Sequence, residues 1–148
     1  MVTIYTIGFT KKDARRFFEL LKTAKIKKLI DIRISNSSQL AGFAKGGDLK
    51  YFCKMILEAE YIHIPDLAPT KELLKSYTNK ETSWTEYEKI FIKLLQERKV
   101  LYKYNIDTFN NSCLLCSEDT PEFCHRRLVA EYFKKEYPEQ DIKIIHLV

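Results

Sequence analysis

Between Cys116 and Arg127 the chain reads CSEDTPEFCHRR, which places two cysteines, three acids, a histidine and two arginines within twelve residues. A cysteine attacks as its thiolate, and a helix start or nearby positive charge stabilises that form. Cys124 meets both conditions if a helix opens at Pro121 behind a Thr120 cap, because His125 and Arg126 follow it directly. Cys116 is the alternative nucleophile. At the end of a strand it would face the amides of the next helix, which stabilise developing negative charge. Both thiols also have a plain role as small apolar residues packed inward. A reversible Cys116–Cys124 disulfide is a further option.

The carboxylates and arginines nearby extend the choice. Glu118 and Asp31 could supply a general base or hold a cation such as Mg²⁺. Asp31 could instead pair with Arg33 or Arg126. Asp119 and Glu122 need only a helix-start role, where acids favour the dipole. Arg33 and Arg126 suit a phosphate or carboxylate, which guanidinium groups grip with paired hydrogen bonds. Arg127 reads as a surface residue. Cys113-x-x-Cys116 with Cys124 and His125 has the composition of a zinc site. However, SCLLCS reads as a strand, on which residues three apart face opposite sides, so Cys113 and Cys116 diverge. We therefore assign no metal ligands, and the sequence specifies no cofactor.

Strands and helices alternate along the chain and must position these groups. Val2 to Phe9 is β-branched and aromatic, a strand, and Lys11 to Ala24 has Ala14, Phe17, Phe18 and Leu21 at helical spacing. Lys27 to Ile34 is a second strand, apolar enough for a sheet covered on both faces. A Ser/Gly-rich loop over residues 35–47 leads to a helix from Asp48 to Glu60, then a short strand over residues 61–65. A short helix spans Thr70 to Tyr77. Ser83 and Glu86 form a capping box for a helix running to Arg98, with Trp84 and Phe91 expected in the core. SCLLCS is strand four, residues 121–137 are helix, and residues 141–148 are a last strand, with His63 and His146 as packed or edge histidines.

This alternation predicts a single α/β domain over residues 1–148, three layers deep, with a largely parallel sheet of about five strands. Parallel crossovers bring the strand-to-helix loops to one edge, where ligands of such folds bind. Gly8, Asp31, Arg33, Cys116, Glu118, Cys124, His125 and Arg126 should meet there, with Gly8, Asp31 and Arg33 as floor and the rest as wall.

The residues at this edge carry a resemblance. TIGFT at Thr6 to Thr10, DIR at Asp31 to Arg33 with Ser38 and Phe43 following, and WTEY at Trp84 to Tyr87 resemble motifs of the DUF488 family of small prokaryotic proteins. The most specific match is Cys116, Glu118, Pro121, Glu122, Cys124, His125 and Arg126, which fits the family's Cys-x-Glu, Pro-Glu, Cys-His-Arg pattern. Asn36 stands where the family usually has proline. The resemblance implies an architecture and a site, without a reaction.

The totals limit what the site can serve. No run approaches the ~20 apolar residues of a membrane span, and residue 1 onward lacks a signal-peptide form, so we expect a cytoplasmic chain with no membrane contact. Four cysteines are too few for a disulfide framework in 148 residues. A net charge of +5 favours anionic partners mildly. Basic and aromatic residues interleave at Lys99 to Asn105 and at Lys50 to Lys54, as in single-strand binders, but nine Tyr and nine Phe make such runs expected by chance. The leading expectation is an enzyme acting on an anionic, phosphate-bearing substrate, a nucleotide or nucleic acid. Arg33, His125, Arg126 and Gly8 would bind it, and Cys116, Cys124, Asp31 and Glu118 would do the chemistry. The alternatives are a non-catalytic nucleotide or nucleic-acid binding module, or a thiol-redox or zinc protein. The oligomeric state is not legible.

Overall fold

The computed structural model describes residues 1–37 and 42–148. Five strands, β1 (Val2–Gly8), β2 (Lys28–Asp31), β3 (Glu60–His63), β4 (Ser112–Cys116) and β5 (Ile142–Leu147), form one sheet in the order β3-β2-β4-β1-β5. Every neighbouring pair is parallel. Parallel strands need crossovers, and helices supply them on both faces. The three-layer α/β expectation is met.

Each layer follows from its apolar stripe. On one face α1 (Ala14–Ala24) and α2 (Gly46–Phe52) pack Phe17, Phe18, Leu21 and Leu49 against Ile7, Leu29, Cys113 and Leu115. On the other, α4 (Trp84–Glu97) and α6 (His125–Glu136) pack Phe91, Leu95, Leu128, Val129 and Phe133 against Ile4, Ile30 and Leu114. Each such buried side chain contributes about 1.5–3 kcal/mol relative to exposure. Two shorter helices, α3 (Lys71–Thr78) and α5 (Val100–Lys103), flank α4. The caps are those the residue types require: Asp13 accepts from the Arg16 amide, Thr70 from Leu73, and Ser83 from Glu86.

The strand order creates the site. β4 lies between β1 and β2, whose following helices α1 and α2 cover one face, whereas α6 after β4 covers the other. Loops therefore part to opposite sides at the carboxyl end of β4, the point where open α/β sheets form a crevice. Cys116 is the last residue of β4.

Three expected boundaries are corrected. β2 stops at Asp31, because the Asp31 carboxylate accepts from the Arg33 amide and turns the chain out of the sheet. The helix expected over residues 48–60 begins earlier, at Gly46, whose amide donates to the Asn36 carbonyl, and its last turn, Cys53–Leu57, widens to a π-helix. The loop expected over residues 35–47 is thus shorter; its Ser38 and the three residues after it lie outside the described residues. The helix after β4 begins at His125, with Cys124 and not Thr120 at the cap. Residues 117–124 are instead a run of bends and turns, closed by a Cys124 N–H to Pro121 carbonyl bond of 3.3 Å.

Candidate active site

Those bends pass directly over β1. A side chain on Gly8 would overlap the Glu118 carbonyl and stand 2.8 Å from Arg126 Nη1, so only glycine admits the loop. The loop is then tied down from both ends. Thr10 N–H donates to the Ser117 carbonyl at 3.0 Å, and Lys12 Nζ meets Asp119 Oδ1 at 3.0 Å. From below, Arg126 donates to the carbonyls of Glu118 and Asp119 and to Thr6 Oγ1. Arg126 is fully buried and its acceptors are neutral, so its positive charge is left without a carboxylate partner among the described residues. Thr6 Oγ1, accepting from Arg126, is also hydrogen-bonded to His146 Nδ1 at 2.6 Å.

The loop delivers Cys124 beside Cys116 and His125. One ligand atom from each of the three lies within 4.8 Å of the others, and all three residues are buried. His125 Nε2 is 2.7 Å from the Ile32 carbonyl, which can only accept, so Nε2 carries a proton. That leaves Nδ1, 3.4 Å from Cys116 Sγ, as the atom that gains or loses a proton on the thiol side. A thiol, an imidazole and the carbonyl that orients the imidazole are thereby in contact.

The two thiols are driven apart in acidity. For Cys124 burial opposes ionisation. It is outweighed by hydrogen bonds from Cys116 and His125 and by the charges of His125 and Arg126, which bring the thiol well below its ordinary range. Cys116, which shares its hydrogen with Cys124 and is buried, is pushed well up. The more acidic side of the pair is Cys124, at the positive end of α6. The other two cysteines are shifted upward. Burial pushes Cys53 up to about 12 and raises Cys113 well above the usual thiol range. Cys113 faces the α1/α2 layer, away from Cys116, as the strand reading requires.

A second charged cluster stands at the end of β2. Asp31, fully buried, takes two hydrogen bonds from the Arg33 side chain (2.8 and 2.6 Å) and one from Tyr61 Oη at 2.5 Å. Arg33 also donates to the Ala44 carbonyl and lies 5.3 Å over the Phe9 ring. Its Nη1 is buried and has no partner among the described residues. An unpaired guanidinium hydrogen is costly in a low-dielectric site unless an anion completes it.

Arg33, Cys116, Cys124 and His125 line one pocket of about 650 Å³. The far wall comes from α3 and α4, with Lys71, Lys75, Tyr77, Trp84 and Tyr87, and Phe123 closes it from the loop. Trp84 stacks on Tyr87 at 4.8 Å, and Phe123 meets it edge-on at 5.5 Å. Glu88 accepts from Trp84 Nε1 at 2.8 Å and from Arg127 Nη2 at 2.9 Å, so the aromatic wall is linked to the first turn of α6.

Of the eight residues expected at this edge, five line the pocket: Arg33, Cys116, Glu118, Cys124 and His125. Glu118 is exposed there. Gly8, Asp31 and Arg126 lie beneath it and hold its walls. Arg127, read as a surface residue, is half-buried and bridges α6 to α4. The α3–α4 wall was missed. Trp84 reads as core and does pack against the core cluster, yet it also faces the pocket, as does the buried Tyr87.

The fold and site together define a three-layer α/β protein with a cysteine–imidazole cluster at the carboxyl edge of its sheet. Within that class, the chain belongs to the family described as domain of unknown function DUF488, whose model matches residues 13–133. No curated protein and no solved structure matched the chain. No helix among the described residues is long and apolar enough to cross a membrane.

Proposed function

We propose that this protein is a thiol enzyme acting on an anionic, phosphate-bearing substrate of nucleotide size. The observation that carries the reading is the juxtaposition, on one pocket, of the Cys116–Cys124–His125 cluster and the unpaired Arg33 Nη1. Arg33 Nη1, assisted by Lys71 and Lys75 at the mouth, accepts the anion. Cys124 at the α6 cap is the nucleophile, Cys116 holds the neighbouring proton, and His125 Nδ1 receives or returns it. The aromatic wall of Trp84, Tyr77 and Phe123 suits a planar ring, and the volume falls within the range of small-molecule sites.

Protection tests this directly. Millimolar inorganic phosphate or adenosine monophosphate should slow alkylation of Cys124 by iodoacetamide in wild type, and Cys124→Ser should retain binding while losing any turnover of phosphate esters. Binding that persists with no turnover in wild type would make the chain a nucleotide-binding module. Absence of protection by any anion would remove the anion site altogether.

A second reading has its own observation. Cys116, Cys124 and His125 are three soft donors close enough for one ion, and His125 Nε2 already has the carbonyl partner that orients a metal-bound imidazole. Such an ion would keep a fourth position open to the pocket. Zinc at one equivalent in protein purified without chelator, with Cys124 unreactive until it is removed, would favour this reading over the free thiol.

A further inference from the structure

Cys116 and Cys124 are the only two of the four cysteines that line the pocket; Cys53 and Cys113 are closed within the opposite core layer. The pair also differs in how it is held. Cys116 is fixed by the sheet, whereas Cys124 lies outside any strand, at the junction between the bends of residues 117–124 and α6. Their sulfurs lie within 4.8 Å, and a disulfide needs about 2.0 Å, a shift that a cap residue can make without moving a strand. We infer that Cys124 and Cys116 are a peroxide-reactive pair, in which a small hydroperoxide entering the pocket oxidises Cys124 and Cys116 resolves it to a disulfide. The inference rests on the same Cys124 nucleophile as the proposed function, but needs no phosphate substrate.

The steps balance. The Cys124 sulfur attacks the terminal oxygen of the hydroperoxide, the O–O bond breaks, and Cys124 becomes a sulfenic acid while the alkoxide leaves and takes the proton of His125 Nδ1. Cys116 then gives its proton to His125 Nδ1, and its sulfur attacks that of Cys124. The S–O bond breaks, and hydroxide departs with the proton as water. Two electrons pass from the thiol pair to the peroxide, which ends as one alcohol and one water. Two equivalents of a small thiol restore the pair by exchange. The adjacent resolving thiol keeps Cys124 from further oxidation, and the disulfide removes the nucleophile, so the site is reversibly closed.

Treatment of the whole folded chain with a few equivalents of hydrogen peroxide, followed by denaturation, alkylation of the remaining thiols and mass spectrometry, tests this. The tryptic peptide 104–126 holds Cys113, Cys116 and Cys124, so fragmentation of that peptide locates the bridge. The expected product is a Cys116–Cys124 disulfide, reversed by dithiothreitol, with Cys53 and Cys113 alkylated as thiols. In Cys116→Ser, Cys124 should stop at a sulfenic acid trapped by dimedone. Wild-type oxidation straight to sulfinic acid, or oxidation of Cys53 and Cys113 at the same rate, would overturn the inference. If Cys124 is alkylated rapidly but forms no bridge, this inference fails while the thiol-enzyme reading stands. If Cys124 resists both reagents, both fail.

Discussion

His125 Nδ1 stands 3.4 Å from Cys116 Sγ because its other nitrogen is held at 2.7 Å by the Ile32 carbonyl. The bond ties Ile32, the residue just after β2, to the first turn of α6, and Ile32 N–H is itself bonded to the Leu115 carbonyl of β4, so the imidazole is oriented from the sheet. Removing the ring should therefore affect both stability and reactivity. His125→Ala leaves the Ile32 carbonyl unpaired at a cost of about 1–3 kcal/mol. It should also raise the pH midpoint of Cys124 alkylation, because the hydrogen bond and charge of the imidazole are lost. Unchanged alkylation with lowered stability would reduce His125 to a packing residue.

Gly8→Ala should displace the loop over β1, since the new methyl meets the Glu118 carbonyl. Overpacking of this kind costs about 1–3 kcal/mol. In a chain of this length that lowers Tm by roughly 2–4 °C for each kcal/mol. Cys124 reactivity should fall with it, because the same loop places the cap. A Tm within a degree of wild type would show that the loop has room to lift.

Arg33 has two duties that substitution separates. Arg33→Ala leaves Asp31 buried and unpaired, a loss of about 3–5 kcal/mol. Arg33→Lys keeps the ion pair but removes Nη1, so the fold should survive while phosphate no longer protects Cys124. Protection retained in Arg33→Lys would place the anion on Lys71 and Lys75 instead.

His146 gives the fold a pH dependence. Burial and the Arg126 charge lower its pKa, and its Nδ1 is hydrogen-bonded to Thr6 Oγ1. A depressed folded value contributes stability above the ordinary histidine value of about 6.5, and this is lost as pH falls through the folded value. Tm should therefore drop as pH falls below about 6.5, and the drop should shrink in His146→Gln. Equal slopes in the two proteins would assign the acid sensitivity elsewhere.

The sheet and its active edge were legible because alternation and strand apolarity fix which loops share an end. The divergence of Cys113 from Cys116 followed from the two-residue period alone. What sequence could not give was depth. Gly8 and Arg126 have the residue types of a binding site, but they face the carbonyls of a loop, contacts that depend on the folded path of residues 117–124, while Asp31 makes the pairing with Arg33 that the sequence offers as one reading and adds Tyr61 from β3. The helix start moved from Pro121 to His125 for the same reason: Arg126 draws the Glu118 and Asp119 carbonyls beneath the loop. The aromatic wall stayed hidden because helical spacing does not distinguish a side chain facing the core from one facing a pocket beside it.

On the proposed function, Cys124 carries a stabilised thiolate while Cys116 keeps its proton. The most direct measurement is the rate of iodoacetamide alkylation at each cysteine against pH, resolved by mass spectrometry in reduced, chelator-treated protein. The account predicts that Cys124 reacts fastest, with a midpoint well below the ordinary thiol value of about 8.5, and that Cys53 and Cys113 stay unmodified in the folded state. Uniformly slow modification of all four, or a Cys116 midpoint below that of Cys124, would contradict it.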